Sequence, residues 1–117
     1  MTTTDLSANN IDAIVATATA IAPLDVRKMF GTKCLYDGDV MLGIVHSSGL
    51  YLKIDDTTRG SYDATNQPIF APKPGKGWTS FRLVPTGDTT RVDGLRPWLT
   101  DAIGVAGRLA RVKDRDG

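Results

Sequence analysis

The sequence contains no glutamate. All 13 of its acidic residues are aspartates, and the 14 lysines and arginines leave a formal net charge of +1 over 117 residues. Because aspartate favours turns and helix caps over helix interiors, we expect the acidic residues to lie at the ends of structural elements. The near-neutral charge differs from the strongly basic profile that is typical of an autonomous DNA-binding protein.

Cysteine and histidine each occur once, as Cys34 and His46. A single cysteine excludes an internal disulfide and favours a reducing cytoplasm. A metal site normally takes three or four ligands, so we expect neither a metal nor a cofactor. Cys34 and His46 could in principle form the nucleophile and base of a small enzyme. We instead interpret Cys34 as a packed core residue and expect no catalytic residues.

Long hydrophobic runs are also missing. Residues 1–10 are polar and lack the basic and apolar regions of a signal peptide. The apolar stretches are far shorter than the roughly 20 residues that span a bilayer. We therefore expect a cytoplasmic protein without membrane contact, folded as one domain over residues 1–117, which is long enough to bury a core without disulfides.

Two segments have the apolar spacing of amphipathic helices. The first runs from Ile11 to Ala22 and should end before Pro23, since the residue before a proline avoids the helical region. The second should begin between Asp93 and Arg96, because a proline at position 97 is acceptable only in a first turn. Its apolar stripe comprises Leu95, Trp98, Leu99, Ala102, Ile103, Ala106, Leu109 and Ala110.

Strand-like segments fill the region between these helices. They are predicted at Arg27–Tyr36 (interrupted by Gly31), Val40–His46, Leu50–Ile54, Ile69–Phe70 and Trp78–Val84, with a short helix over Thr57–Ala64. In the second strand we expect Val40, Leu42, Ile44 and His46 to share one face. The pattern predicts an α+β fold with an antiparallel sheet of about five strands and the N- and C-terminal helices packed on one face.

Several short motifs occur in an order known from one family. They are Lys28-Met29-Phe30-Gly31, Tyr36-x-Gly38, Met41-x-Gly43, Leu50-Tyr51-Leu52-Lys53-x-Asp55, Phe81-x-x-Val84-Pro85 and Leu95-x-x-Trp98-x-x-x-Ala102. Over roughly residues 10–110 the chain resembles the N-terminal domain of TfoX/Sxy competence regulators. The resemblance implies an α+β domain that often self-associates. Because the chain ends at Gly117, we expect a stand-alone homologue without the separate C-terminal domain of the full-length regulators.

The best functional candidate is a basic and aromatic patch, because an exposed aromatic side chain beside an arginine is typical of binding anchors. In the alternative interpretation, Met29 and Phe30 pack in the core and the basic pair is merely solvated. The residues of this candidate interaction patch are Arg27, Lys28, Met29, Phe30 and Gly31, with Tyr51 and Lys53 as an extension on the outer face of their strand.

A second group of cations, Lys73, Lys76 and Arg82, is a candidate anion contact. The segment around Lys76 lacks the spacing of a phosphate-binding loop. Together with Arg27 and Lys28, these cations suggest an alternative function as a nucleic-acid-binding accessory protein. Our principal hypothesis is a non-enzymatic regulatory module that binds a protein partner, a second copy of itself, or both, with the link to transcription implied by the resemblance.

Overall fold

The computed structural model describes residues 6–29, 32–46, 49–73 and 76–116. Three helices and six strands follow one another along the chain. They are α1 (Leu6–Ile21), β1 (Asp25–Met29), β2 (Thr32–Asp37), β3 (Val40–His46), β4 (Gly49–Lys53), α2 (Arg59–Ala64), β5 (Ile69–Lys73), β6 (Lys76–Leu83) and α3 (Val92–Asp116), with a 3-10 turn at Thr86–Asp88 before α3.

The six strands form one antiparallel sheet in the order β1-β2-β3-β4-β6-β5. The terminal helices α1 and α3 both pack on the central strands β3 and β4, and they contribute to the same hydrophobic core. The predicted α+β class and the placement of both helices on one face are therefore confirmed. The sheet has one strand more than the approximate number that the sequence predicted.

The additional strand arises where the sequence predicted a single one. Residues 27–36 are divided between two strands. These strands, β1 and β2, pair antiparallel with each other, with Met29 opposite Thr32. Phe30 and Gly31 separate these strands and lie outside the described residues. A glycine that interrupts a strand pattern is compatible with a bulge or a turn, and here the flanking segments pair with each other.

A β-bulge in β3 changes which side chains face the helices. Leu35 pairs with Gly43, whereas the next pair is Tyr36 with Met41, so Leu42 is the extra residue. Leu42 belongs to the core under the helices, and a Cβ at Gly43 would point to that side, 3.1 Å from Leu52 Cδ2. Two consecutive residues of β3 thus face the helices.

The expectation that Val40, Leu42, Ile44 and His46 share one face is consequently wrong. Val40 packs with Leu42 under the helices, but Ile44 belongs to the cluster on the opposite face, where His46 contacts Phe70. The bulge reverses the alternation after Leu42. In β4, which carries no bulge, Tyr51 lies on the outer face as predicted, and Leu50 and Leu52 face the helices.

The predicted stripe of α1 and the stripe of α3 as far as Ala106 lie in the core or against it, whereas Leu109 and Ala110 at the end of the predicted α3 stripe are exposed. Ile14 and Ala18 of α1 meet α3 and the sheet through fully or almost fully buried side chains. The helix α3 begins at Val92, slightly earlier than expected, so Pro97 lies in its second turn. The missing N–H of Pro97 removes one helical hydrogen bond on an exposed side of the helix, where water can satisfy the carbonyl. The core residues contributed by α3 are Leu95, Leu99, Ala102 and Ala106.

One ion pair fixes α3 to the end of β4. Arg108 donates from Nε to Asp55 Oδ2 at 2.8 Å and from Nη2 to Thr57 Oγ1 at 2.9 Å. Thr57 donates its N–H and hydroxyl to Asp55 Oδ1. The Arg108 hydrogen bond and then those of Thr57 lower the pKa of Asp55 to about 2. Asp55 therefore joins the segment after β4 to α3, two segments that are distant in sequence.

We expect Gly43→Val to reduce the free energy of unfolding by about 1–3 kcal/mol, because the added carbons would be forced against Leu35 and Leu52 in a filled core. Gly60→Val is the matched control, since a Cβ there meets nothing within 4 Å and valine suits a helix at least as well as glycine. Urea denaturation measures both. Equal stability of the two variants would contradict the proposed close contact at Gly43.

The Asp55–Arg108 pair should make stability depend on pH. Because the pKa of Asp55 is lower in the folded state than in the unfolded state, its contribution is present above about pH 4 and is lost as the pH falls through about 2. Because the pair is partly solvated, we expect Arg108→Gln to reduce the free energy of unfolding by about 1 kcal/mol at pH 7.

The difference in the free energy of unfolding between wild type and Arg108→Gln should decrease as the pH is lowered from 4 to 2. Arg59→Gln serves as the control, because the Arg59–Asp56 pair is largely exposed and should contribute little at any pH. Denaturant unfolding at several pH values provides the measurement. A difference for Arg108→Gln that stays constant down to pH 2 would be incompatible with this role of Asp55.

Candidate functional site

The face of the sheet opposite to α1 and α3 carries an aromatic cluster. Tyr51 and Phe70 meet edge to face with their ring centroids 5.0 Å apart, and His46 contacts Phe70 at 5.8 Å. Such tilted contacts are the favoured geometry of aromatic pairs. We call this surface the aromatic face, and its members, all from strands, are Cys34, Ile44, Tyr51, Phe70 and Phe81, with the partly buried Tyr36, Met41 and Leu83.

Two cations lie on rings of the aromatic face. The guanidinium carbon of Arg27 is 4.1 Å from the centroid of the Tyr36 ring, and Lys53 Nζ is 4.5 Å from that of Phe81. These distances are within the range of cation–π attraction. Burial removes water from the Lys53 ammonium and lowers its pKa. Among the described residues, neither Arg27 nor Lys53 has a carboxylate partner.

The predicted interaction patch is divided by the sheet. Arg27 pairs with Cys34 and so lies on the aromatic face, whereas the next residue, Lys28, pairs with Lys33 on the helix side. Lys33 confirms that side by binding Asp12 of α1 at 3.1 Å. Both Arg27 and Lys28 are exposed, but they cannot act on the same ligand face.

The remaining members of the predicted patch differ in accessibility. Tyr51 and Lys53 both lie on the outer face, as predicted for their strand. Tyr51 is only 7% exposed, so it supports the surface from within. Lys53 is half-buried and is the more accessible of the two. The side chain of Met29, and Phe30 and Gly31 entirely, lie outside the described residues.

The candidate anion contact at Arg82 is occupied by internal partners. Arg82 donates from Nη1 to Asp63 Oδ1 at 2.9 Å and from Nε to the Gln67 carbonyl at 2.7 Å. Lys73 and Lys76 face each other at the end of the β5–β6 hairpin, and their side chains lie outside the described residues. The structure does not bring Arg82 together with the cations of β1.

A cleft of about 380 Å³ lies beside Arg82, between α2 and the β5–β6 hairpin. Its lining includes Arg59, Arg82, Asp55 and Asp63. Each of these charges is already in an ion pair, with Asp55 bound to Arg108 and Arg59 bound to Asp56. Among the described residues that line the cleft, the charges are therefore balanced and no cation is left unpaired for an anionic ligand.

Cys34 lies inside the aromatic face and is 4% exposed. Burial raises the pKa of its thiol, and a long hydrogen bond with the Thr32 hydroxyl opposes this only in part. Because the reactive species is the thiolate, this environment disfavours nucleophilic chemistry. In the part of the chain that the structure describes, no group of three His, Cys, Asp or Glu residues could hold a metal ion.

Sequence reasoning missed several members of the aromatic face, namely Tyr36, Phe70 and Phe81. Tyr36 and Cys34 are two residues apart and therefore share a face, which the sequence could have revealed. Phe81 pairs with Lys53 through the β4–β6 register, which no local pattern reveals.

Helices long and apolar enough to cross a membrane are absent from the described residues.

We expect the thiol of Cys34 to react slowly with a disulfide reagent at neutral pH in the native protein and rapidly in denaturant, because burial raises its pKa and blocks access. The measurement is the rate of colour release from Ellman's reagent with and without urea. Fast labelling of the native protein would instead indicate an accessible thiolate and favour the Cys/His enzyme hypothesis.

Comparison with known proteins agrees with the resemblance noted in the sequence. The family model of the TfoX N-terminal domain matches residues 17–106, which include every strand of the sheet, the last five residues of α1 and most of α3. No curated protein matches the chain. Since the match extends over most of the sequence, the chain belongs to the TfoX N-terminal domain family.

Proposed function

We propose that this TfoX N-terminal-like domain is a non-enzymatic regulatory module of the cytoplasm that binds another protein through the aromatic face and also associates with itself. The link to competence and gene expression rests on family membership. The binding proposal rests on one structural observation: Arg27 and Lys53 lie on aromatic rings without a carboxylate partner among the described residues.

Of these two cations, Lys53 gives the stronger support for a binding site on the aromatic face. Its ammonium has lost part of its hydration, and only the face of Phe81 compensates for that loss among the contacts observed. A carboxylate from a partner would restore the missing interaction at a partly dehydrated site, where charge-assisted hydrogen bonds are strongest. The expected partner is therefore an acidic protein surface, with apolar groups that can pack on the partly buried Tyr36, Met41 and Leu83 of the aromatic face.

The distribution of cations favours a protein over a nucleic acid. Nucleic-acid affinity depends on many cations that neutralise adjacent phosphates. Here Arg27 and Lys28 point to opposite faces, and Arg82 is bound to Asp63. The aromatic face instead presents a few cations at the rim of an apolar surface, which is the usual composition of a protein-binding site.

We expect Lys53→Ala to lose capture of the partner from a lysate of the source organism, because it removes the dehydrated cation of the aromatic face. Lys28→Ala is the matched control, since it removes the same charge from the opposite side of the sheet. Each sample is divided, and one half is treated with nuclease. Bound proteins are quantified by mass spectrometry, and thermal melting verifies that both variants fold.

A protein that is lost with Lys53→Ala, retained with Lys28→Ala and unaffected by nuclease supports the proposal. If the captured protein is lost after nuclease treatment, or if both variants capture equally less of it, the result would instead favour nucleic-acid binding through general positive charge. If neither variant changes what is captured, the aromatic face is not the binding surface.

A further inference from the structure

The two edges of the sheet differ in their capacity to accept another strand. β1 forms one edge and β5 the other. Pro72 in β5 has no N–H to donate, which is a common way to block an edge. β1 contains no proline, and among the described residues nothing pairs with its outer side. Its outward N–H and C=O groups remain available to a further strand.

The side chains of β1 are unusually exposed for a strand. Asp25, Val26, Arg27 and Lys28 are all exposed. Val26, at 39%, is one of three large apolar side chains that are exposed among those the structure describes. Val26 pairs with Leu35 and therefore lies on the helix side of the sheet, whereas Asp25 and Arg27 lie together on the aromatic face. The exposed apolar Val26 is thus preceded by the negatively charged Asp25 and followed by the positively charged Arg27.

From this arrangement we infer that β1 is the contact for a second copy of this chain, with the two β1 strands paired antiparallel across a two-fold axis at Val26. The inference deepens the proposed function and rests on its element of self-association, for which it names the interface. The two sheets would join into one continuous sheet of twelve strands.

Symmetry restricts the possible registers to a few. Directly opposed residues in an antiparallel pair point to the same face, so a two-fold axis perpendicular to the sheet must place one residue opposite its own copy. A register centred on Val26 opposes the two valines and places Asp25 opposite the partner's Arg27 twice. Each of these contacts is a favourable cross-strand pair.

The neighbouring registers are electrostatically unfavourable. Centring on Asp25 opposes two carboxylates, centring on Arg27 opposes two guanidinium groups, and centring on Lys28 opposes two ammonium groups. Among the registers centred on Asp25, Val26, Arg27 or Lys28, charge complementarity therefore selects the one at Val26. Because only Asp25, Val26 and Arg27 of each strand oppose strand residues of the other copy in this register, we expect a dimer of modest affinity, with a dissociation constant on the order of micromolar.

Charge reversal tests the register directly. Asp25→Arg and Arg27→Asp each convert both opposed pairs into like charges, and each should raise the dimer dissociation constant roughly tenfold or more. The double variant Asp25→Arg/Arg27→Asp restores opposite charges and should recover dimerisation. An equimolar mixture of the two single variants should form heterodimers, because each chain then complements the other.

Lys28→Asp is the matched control, since it reverses a neighbouring charge on the opposite side of the sheet, where the register places it opposite Leu24 of the partner. Sedimentation equilibrium over a wide concentration range gives the dissociation constants, and circular dichroism verifies folding. Recovery in the double variant and in the mixture supports the inference. A wild-type chain that remains monomeric up to about millimolar concentration, or a dimer insensitive to both reversals, overturns it.

This experiment is independent of the test of partner binding. Lys53 lies on β4, away from the β1 edge, so Lys53→Ala should leave the dimer dissociation constant unchanged. A monomeric protein that still loses its partner with Lys53→Ala overturns the β1 interface and leaves the aromatic face as the binding surface. A dimer with the predicted charge dependence that captures no partner supports the interface and refutes the role of Lys53.

Discussion

The structure depends on the packing of both terminal helices against the same face of the two central strands. Ile14 of α1 and Leu99 of α3 are completely buried there, together with Leu52 of β4. Once the helices occupy one face, the opposite face must be covered by its own side chains. Its aromatic residues are buried through contacts with one another, and long cationic side chains lie over the rings at two points.

The fold was largely accessible from the sequence because its signals are local. The helical stripes and the placement of Tyr51 and Lys53 on the outer face of β4 each depend on residues within one element. The hairpin at β1–β2 and the bulge at Leu42 were not predicted. Both depend on which strand pairs with which, and a glycine in a strand pattern does not distinguish a turn from a bulge.

The candidate site was less predictable for the same reason. Sequence adjacency suggested that Arg27 and Lys28 act together, but the two-residue period of a strand separates them onto opposite faces. Conversely, strand register alone brings together two cation–ring pairs whose members are distant in sequence. These pairs are Arg27 with Tyr36 and Lys53 with Phe81. A surface made of cross-strand pairs becomes recognisable only when that register is known.

The two proposed contacts of this domain share only Arg27, whose charge would be paired with Asp25 of the second copy in the dimer, while Lys53 on β4 remains available to a partner. Pairing through β1 extends the sheet within its own plane and covers neither face, so the aromatic faces of two copies would lie side by side on one surface. Three strand intervals of about 4.8 Å separate β1 from β4, which places each Lys53 roughly 14 Å from its own edge strand. A dimer would then present two equivalent dehydrated lysines on one side. A partner with two acidic segments would gain from simultaneous binding, because the second contact forms at a high effective concentration. Weak self-association through a five-residue strand would therefore be sufficient to strengthen partner binding, and partner binding would in turn stabilise the dimer.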